Sequence, residues 1–139
     1  MGNFQSIQKA NFEDVQYAIT NRDNKIIIST MNSHENCLIQ GTIPFSMEEE
    51  IINNFIAKKK KDVTVIIYGR NANDDSVVSK YKQLQGLGFY NLYVYLGGMF
   101  EWLLLQEVYG AVNFQTTCKE LDILKYKAAK SMGVRLITY

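Results

Sequence analysis

Apolar positions along this chain repeat with two different spacings. In Lys25–Thr30, Val63–Tyr68 and Leu92–Leu96 they are contiguous and rich in β-branched and aromatic residues, which predicts three short buried strands. Between these runs the spacing changes to three and four. Asn11 precedes Phe12, Val15, Ala18 and Ile19, the pattern of a helix with an N-cap asparagine. Ser46 and Glu49 form a capping box ahead of Ile51, Ile52, Phe55 and Ile56. The helix they open ends in Lys58-Lys59-Lys60-Lys61, whose charge suits a helix C-terminus. Ser76–Leu84 predicts a third helix, stopped at Gly86 and Gly88 by a left-handed residue. Met99–Tyr109 reads as a fourth. Thr117 and Glu120 make a further capping box before Leu121, Leu124 and Ala128, and Val134–Thr138 reads as a last strand. Strands alternating with helices in this way argue for a parallel sheet covered on both faces.

Composition narrows the class. The 139 residues, 47% hydrophobic and 21% charged, suit one ordinary globular domain. We expect residues 1–10 to be a flexible N-terminus and residues 11–139 a single domain. A formal net charge of +1 provides no basic surface, which excludes nucleic acid as an expected partner. Cys37 and Cys118 are too few and too far apart in sequence for a disulfide framework, so a reducing, cytoplasmic setting is expected. No apolar run reaches the roughly 20 residues of a membrane span, and no secretory signal precedes the fold. Nothing in the pattern calls for a cofactor.

Three stretches, in order, carry a family resemblance. Ile26-Ile27-Ile28-Ser29-Thr30 is a first buried strand. Leu38-Ile39-Gln40-Gly41-Thr42-Ile43 matches a loop usually written His-Ile-Pro-Gly-Ala-Ile, keeping Ile39, Gly41 and Ile43. Gly88-Phe89-Tyr90-Asn91-Leu92-Tyr93-Val94-Tyr95-Leu96-Gly97-Gly98, followed by Trp102, supplies a strand, a double-glycine turn and a packing tryptophan. Together they resemble the rhodanese (sulfurtransferase) domain family over about Phe12 to Trp102. The resemblance implies an α/β, rhodanese-like fold with a central parallel sheet flanked by helices on both faces. The remaining residues form a C-terminal helical and strand extension longer than the family needs.

The resemblance also locates the chemistry. In the family, the position just past the strand ending at Tyr68 carries the cysteine that holds sulfur, cradled by inward-pointing N–H groups that favour an anion. Related phosphatases close the same cradle with an arginine. Here the loop reads Gly69-Arg70-Asn71-Ala72-Asn73-Asp74-Asp75. Gly69 replaces the nucleophile, and Asp74 and Asp75 stand where a cation would grip an oxyanion. The two carboxylates repel an anion and are themselves able to satisfy the N–H groups. Arg70 is the one cation left in the loop. Asp74 or Asp75 is equally a candidate cap for the helix opening at Ser76. One adjacent carboxylate pair with asparagines lacks the spaced ligands of a metal loop.

Other residues carry weaker signals. Cys118, near a predicted helix N-terminus, and Cys37 are the candidate alternative sulfur carriers, but as cysteines outside the cradle they read first as small, partly buried residues. His34, the lone histidine, reads as a surface residue without a catalytic partner. Met1-Gly2-Asn3-Phe4-Gln5-Ser6 fits an N-myristoylation pattern at Gly2. One acyl chain needs a second signal for stable anchoring. Lys58–Lys61 is a candidate, although a solvated helix end accounts for it. Phe100–Tyr109 is apolar on more than one face, so a cover is expected, from Leu121, Leu124 and Ala128 or from a second copy. Tyr90, Tyr93, Tyr95, Tyr109, Tyr126 and Tyr139 are candidate contact surface for a protein partner, with most expected to be half buried. The resulting expectation is a rhodanese-like domain without sulfurtransferase activity. It would bind or scaffold a protein partner in the cytoplasm, with Gly2 as a tether to the inner face of a membrane. The alternatives are a sulfurtransferase working through Cys118 or Cys37, and a purely architectural component of a larger assembly.

Overall fold

The computed structural model describes residues 7–132, so Gly2, Tyr139 and the expected strand Val134–Thr138 lie outside the described residues. The elements run β1 (Lys9–Ala10), α1 (Phe12–Thr20), β2 (Lys25–Ser29), α2 (Phe45–Ala57), β3 (Thr64–Tyr68), α3 (Ser76–Gly86), β4 (Leu92–Tyr95) and α4 (Gly98–Tyr109), followed by a 3₁₀ turn at Ile123–Tyr126. The sheet order is β1-β4-β3-β2, and every pairing is parallel. Lys9–Ala10, expected to belong to a flexible N-terminus, is instead the edge strand beside Val94 and Tyr95. Two residues are too few to show an alternation.

The period-two geometry of the strands builds two cores. Ile27, Ile66, Tyr68 and Tyr95 face one side, where they meet Val15 and Ala18 of α1 and Met99, Trp102 and Leu103 of α4. Ile28, Val65, Ile67, Leu92 and Val94 face the other, against Ile52 of α2 and Val77, Tyr81 and Leu84 of α3. Helices therefore cover both faces of a wholly parallel sheet. Each of these large apolar side chains contributes on the order of 1.5–3 kcal/mol by leaving water.

Local signals explain the helix ends unevenly. Asn11 caps α1 as expected: its Oδ1 accepts from Asp14 N at 3.0 Å, and Asp14 Oδ2 accepts from Asn11 N at 2.9 Å. The Ser46–Glu49 box does not form. Helix α2 opens two residues earlier, with Pro44 rather than Ser46 at the N-cap and no side-chain cap; the fixed φ of proline preorganises the entry. Past α2, Lys61 Nζ donates to Leu87 O at 2.7 Å, so this lysine ties α2's end to that of α3. Gly88, with φ +102, makes the left-handed stop after α3.

The second resemblance segment earns its place through Tyr68, fully buried at the end of β3. Tyr68 Oη accepts from Ile39 N at 3.0 Å and donates to Thr42 Oγ1 at 2.8 Å, while Thr42 Oγ1 donates to Ile39 O at 2.6 Å. Gly41, at φ +91, makes the turn between the two partners. Burial, only partly offset by these hydrogen bonds, holds the Tyr68 phenol above its ordinary range. Tyr68→Phe strands the Ile39 N–H in an apolar interior, so we expect a loss of about 1–3 kcal/mol. In urea the midpoint falls while the slope stays constant; an unchanged midpoint would remove Tyr68 as the anchor of this loop.

Candidate functional site

In open parallel sheets the carboxyl ends of the strands are where ligands sit. Three neighbouring ends meet here: Thr30 after β2, Gly69–Asp75 after β3, and Gly97-Gly98 after β4. Thr30 N donates to Tyr68 O at 2.9 Å, which joins the first two. The third is joined by the first turn of α4: Met99 N donates to Gly69 O and Phe100 N to Arg70 O, both at 2.9 Å. This approach requires glycine. Gly98 sits at φ +64, and a Cβ there would lie 2.6 Å from Gly69 O.

The centre of the loop is filled by Asp74. Its Oδ2 accepts from Arg70 N at 2.9 Å, and its Oδ1 accepts from Ser76 N at 3.0 Å and from Ser76 Oγ at 2.6 Å. Ser76 Oγ is also 2.6 Å from Thr30 Oγ1. A Cβ on Gly69 would lie 2.5 Å from Asp74 Oδ2 and 3.0 Å from Thr30 Oγ1. The space into which a side chain at position 69 would start is thus held by a carboxylate. Partial burial pushes the Asp74 carboxyl up. The Ser76 hydroxyl, the N–H groups of Arg70 and Ser76 and the Arg70 charge outweigh it, and hold the group below the ordinary carboxylate range.

Of the two candidate caps for α3, Asp74 does the bonding; Asp75 occupies the N-cap position with no side-chain hydrogen bond. Asn71 Oδ1 accepts from Asn73 N at 2.9 Å, and Asp74 N donates to Asn71 O at 3.2 Å. Ala72 and Asn73 are exposed. Among the described residues no His, Cys, Asp and Glu cluster suits a metal ion.

Arg70 points away from the loop centre. Its guanidinium lies over the Tyr126 ring at 5.1 Å and donates to Lys125 O. Asn71 Nδ2 donates to Tyr126 O at 2.8 Å. Tyr126, wholly buried, donates its hydroxyl to Glu35, and Lys125 pairs with Glu35 at 3.3 Å and Glu120 at 2.9 Å. The C-terminal extension is therefore a strap laid over the loop. The expected helix after Thr117 is absent; an irregular segment with one 3₁₀ turn replaces it. Thr117 is held elsewhere, its N–H donating to Leu38 O at 2.8 Å and its Oγ1 accepting from Leu38 N at 3.0 Å. Helix α4 is covered from within the chain, as one expectation had it, but by other residues. Phe114 and Tyr126 pack on Trp102 and Leu103 with Ile123 beside them, whereas Leu121 and Leu124 are 79% and 63% exposed.

The remaining candidates lie outside the loop centre. Cys37 is buried with its Sγ donating to Cys118 O at 3.2 Å, and burial, reinforced by the adjacent Cys118, pushes its thiol up to about 12. Cys118 is exposed. His34 is exposed, its backbone N–H donating to Asn32 Oδ1. Tyr95 and Tyr126 are core residues, and Tyr90 and Tyr109 are exposed. Sequence reasoning missed the Arg70–Tyr126–Glu35 arrangement. Its only trace in the sequence is a tail longer than the resemblance requires.

Strand order, loop position and double-glycine turn define a doubly covered α/β domain of the sulfurtransferase type. The model of the rhodanese-like domain matches residues 14–105, and the chain belongs to that family. Comparison with curated proteins gives no match. Among solved structures, the chain is similar to Ygr203w of Saccharomyces cerevisiae, described as a homolog of single-domain rhodanese and of a phosphatase catalytic domain (TM-score 0.59, 14% identity, 90% of this chain and 96% of that one). It is also similar to the Alr3790 protein of Anabaena sp. (0.56, 15%, 84% and 97%) and to the BH2092 protein of Bacillus halodurans (0.50, 14%, 74% and 74%). At these identities the likeness is one of fold. The strap follows the matched region.

Two outcomes follow from the filled loop. Gly69→Ala is expected to cost about 1–3 kcal/mol through overpacking, and less than half of that in an Asp74→Ala background. A double-mutant cycle with no coupling would separate the two residues. Because the folded Asp74 carboxyl lies below its unfolded value of about 3.9, its contribution to stability is complete above that value and lost as pH falls through the folded value. The stability gap between the wild type and Asp74→Asn should be constant from neutrality to about pH 5 and shrink in stronger acid. A gap independent of pH would contradict the charge-assisted role.

Proposed function

We propose that this rhodanese-like domain has no sulfurtransferase activity and acts as a protein-binding or scaffolding module. One observation carries the reading: the Asp74 carboxylate fills the space beside Gly69 and takes the Arg70 and Ser76 N–H groups. A persulfide needs a thiol at that point and free N–H dipoles to hold its charge. Here the thiol is absent and two of the dipoles are occupied by an anion. The one loop cation, Arg70, is spent on Tyr126 and Lys125 O. Cys37 is a poor substitute because burial keeps it as a thiol, and Cys118 stands outside the loop.

The protein-binding half of the reading rests on the exposed apolar residues Val108, Val112, Leu121, Leu124 and Met132, all beyond the matched region. Groups of this kind are common in contact surfaces. Membrane tethering would come from an acyl group on Gly2. Among the described residues no helix is long and apolar enough to cross a membrane, so any attachment through this part of the chain would be peripheral.

A thiosulfate–cyanide assay tests the activity claim directly. The wild type should give no turnover above the uncatalysed rate. Gly69→Cys alone should give little, since Asp74 still occupies the loop. Wild-type turnover abolished by Cys118→Ser or by Cys37→Ser would overturn the proposal in favour of an atypical sulfurtransferase. Affinity purification from the native cell with intact-mass measurement should recover a stoichiometric protein partner and a mass increment of one myristoyl group on Gly2. Recovery of the unmodified chain alone would count against both.

A further inference from the structure

The strap and the loop before α2 are joined along a short antiparallel ladder. Ile39 bridges Thr116. Gln40 N donates to Gln115 O at 3.0 Å, and Thr117 N to Leu38 O at 2.8 Å. Just past this bridge Cys37 lies beside Cys118. The two residues are in contact there: Cys37 Sγ donates to Cys118 O at 3.2 Å.

Bridging donors flank the Ile39–Thr116 pair rather than joining it; past it the ladder gives way, Leu38 N donating to Thr117 Oγ1. The Cys37 Sγ–Cys118 O contact keeps the two residues adjacent all the same, as the Cα window of about 4.4–6.8 Å of a disulfide requires. Cys118 is exposed and Cys37 is buried, an asymmetry that suits one entering thiol and one resolving thiol.

We propose that Cys37 and Cys118 form a reversible disulfide that fastens the strap over the Gly69–Asp75 loop. The oxidant is a low-molecular-weight disulfide such as oxidised glutathione. The Cys118 thiolate attacks it; the glutathione S–S bond breaks, a Cys118–glutathione bond forms and one glutathione thiolate leaves. Capping Cys118 removes its part in holding Cys37 protonated; when the strap opens to solvent, Cys37 loses its proton to water and attacks Cys118 Sγ, and the second glutathione leaves as its thiolate. Two protein thiols are oxidised and one glutathione disulfide is reduced to two thiols.

The location gives the bond a consequence. Eight residues past Cys118 comes Tyr126, whose hydroxyl bonds Glu35, two residues before Cys37. Segments 35–39 and 116–126 thus already form a clasp. A crosslink at 37–118 prevents the strap from lifting off Arg70 and Asn71. In the reduced protein only hydrogen bonds, ion pairs and packing hold it. The proposal stands or falls independently of whether the loop is catalytic.

Full-length protein equilibrated in glutathione buffers of rising oxidised fraction supplies the test. Non-reducing peptide maps should show a Cys37–Cys118 crosslink, with intact mass lower by two hydrogens. Amide exchange over residues 119–126 should slow at least tenfold on oxidation, and Cys118→Ser should lose that response. Cys37→Ala should stop at a Cys118–glutathione adduct. Should Cys37→Ala fail to fold, the wild-type map and its exchange rates decide alone. A wild type that ends as the glutathione adduct or as an intermolecular dimer overturns the proposal. So does a crosslink that leaves exchange in the strap unchanged.

Discussion

The carboxylate of Asp74 under Gly69 is the contact on which the site depends. It occupies the centre of a loop whose N–H groups converge, and it is held by three donors from Arg70 and Ser76. A buried anion without such donors would be costly; with them it is a fixed part of the fold. The geometry also makes Gly69 and Asp74 a single choice. Any Cβ at position 69 meets the carboxylate at 2.5 Å, so a side chain on Gly69 and a carboxylate in this pose exclude each other. A second anion brought within about 4 Å of the carboxylate would meet a repulsion on the order of 4 kcal/mol in a partly screened setting. The bare Gly69 and the Asp74 carboxylate therefore act in the same direction physically.

The loop is restrained from two further directions. Below, the first turn of α4 donates to Gly69 O and Arg70 O, which spends helix N-terminal N–H groups on the loop backbone rather than on a ligand. Above, the strap takes Arg70 and Asn71 onto Tyr126. The lone cation that sequence inspection leaves in the loop is thus turned outward. Its partner ring belongs to a residue that is wholly buried and anchored at its far end by Glu35. Plug, helix and strap act on one short segment, so displacing any one of them bears on the others.

What was legible in the chain followed the range of the interactions. Strands β2, β3 and β4 announce themselves through contiguous β-branched runs, and α1 through Asn11, because those signals are local. The acids Asp74 and Asp75 in the loop were equally legible, since a candidate cap for the following helix is a local signal. Capping boxes fared worse. Ser46 with Glu49 lost to Pro44, which starts the helix two residues sooner. Thr117 with Glu120 lost to the ladder with Leu38, which takes both the Thr117 N–H and hydroxyl. The strap was invisible for the same reason: Tyr126 and Glu35 are 91 residues apart, and no periodicity encodes a contact of that separation. Leu121 and Leu124 satisfy helical spacing, yet Ile123 and Tyr126 are the residues that turn inward.

That inversion bears on where an interaction surface would lie. A strap that turns Phe114, Ile123 and Tyr126 inward while exposing Val112, Leu121 and Leu124 among charged residues such as Lys119, Asp122 and Lys127 has its inner face matched to this domain and a mixed outer face. The loop beneath it is bonded to α4, to Asp74 and to Tyr126 at once. The extension is tied into the first core through Phe114, Ile123 and Tyr126 and through hydrogen bonds from Trp102 Nε1 to Gln115 O and from Gln106 Nε2 to Phe114 O. The extension is therefore both a cover for α4 and a restraint on the loop, and a change at Phe114 or Tyr126 bears on the core and the loop together.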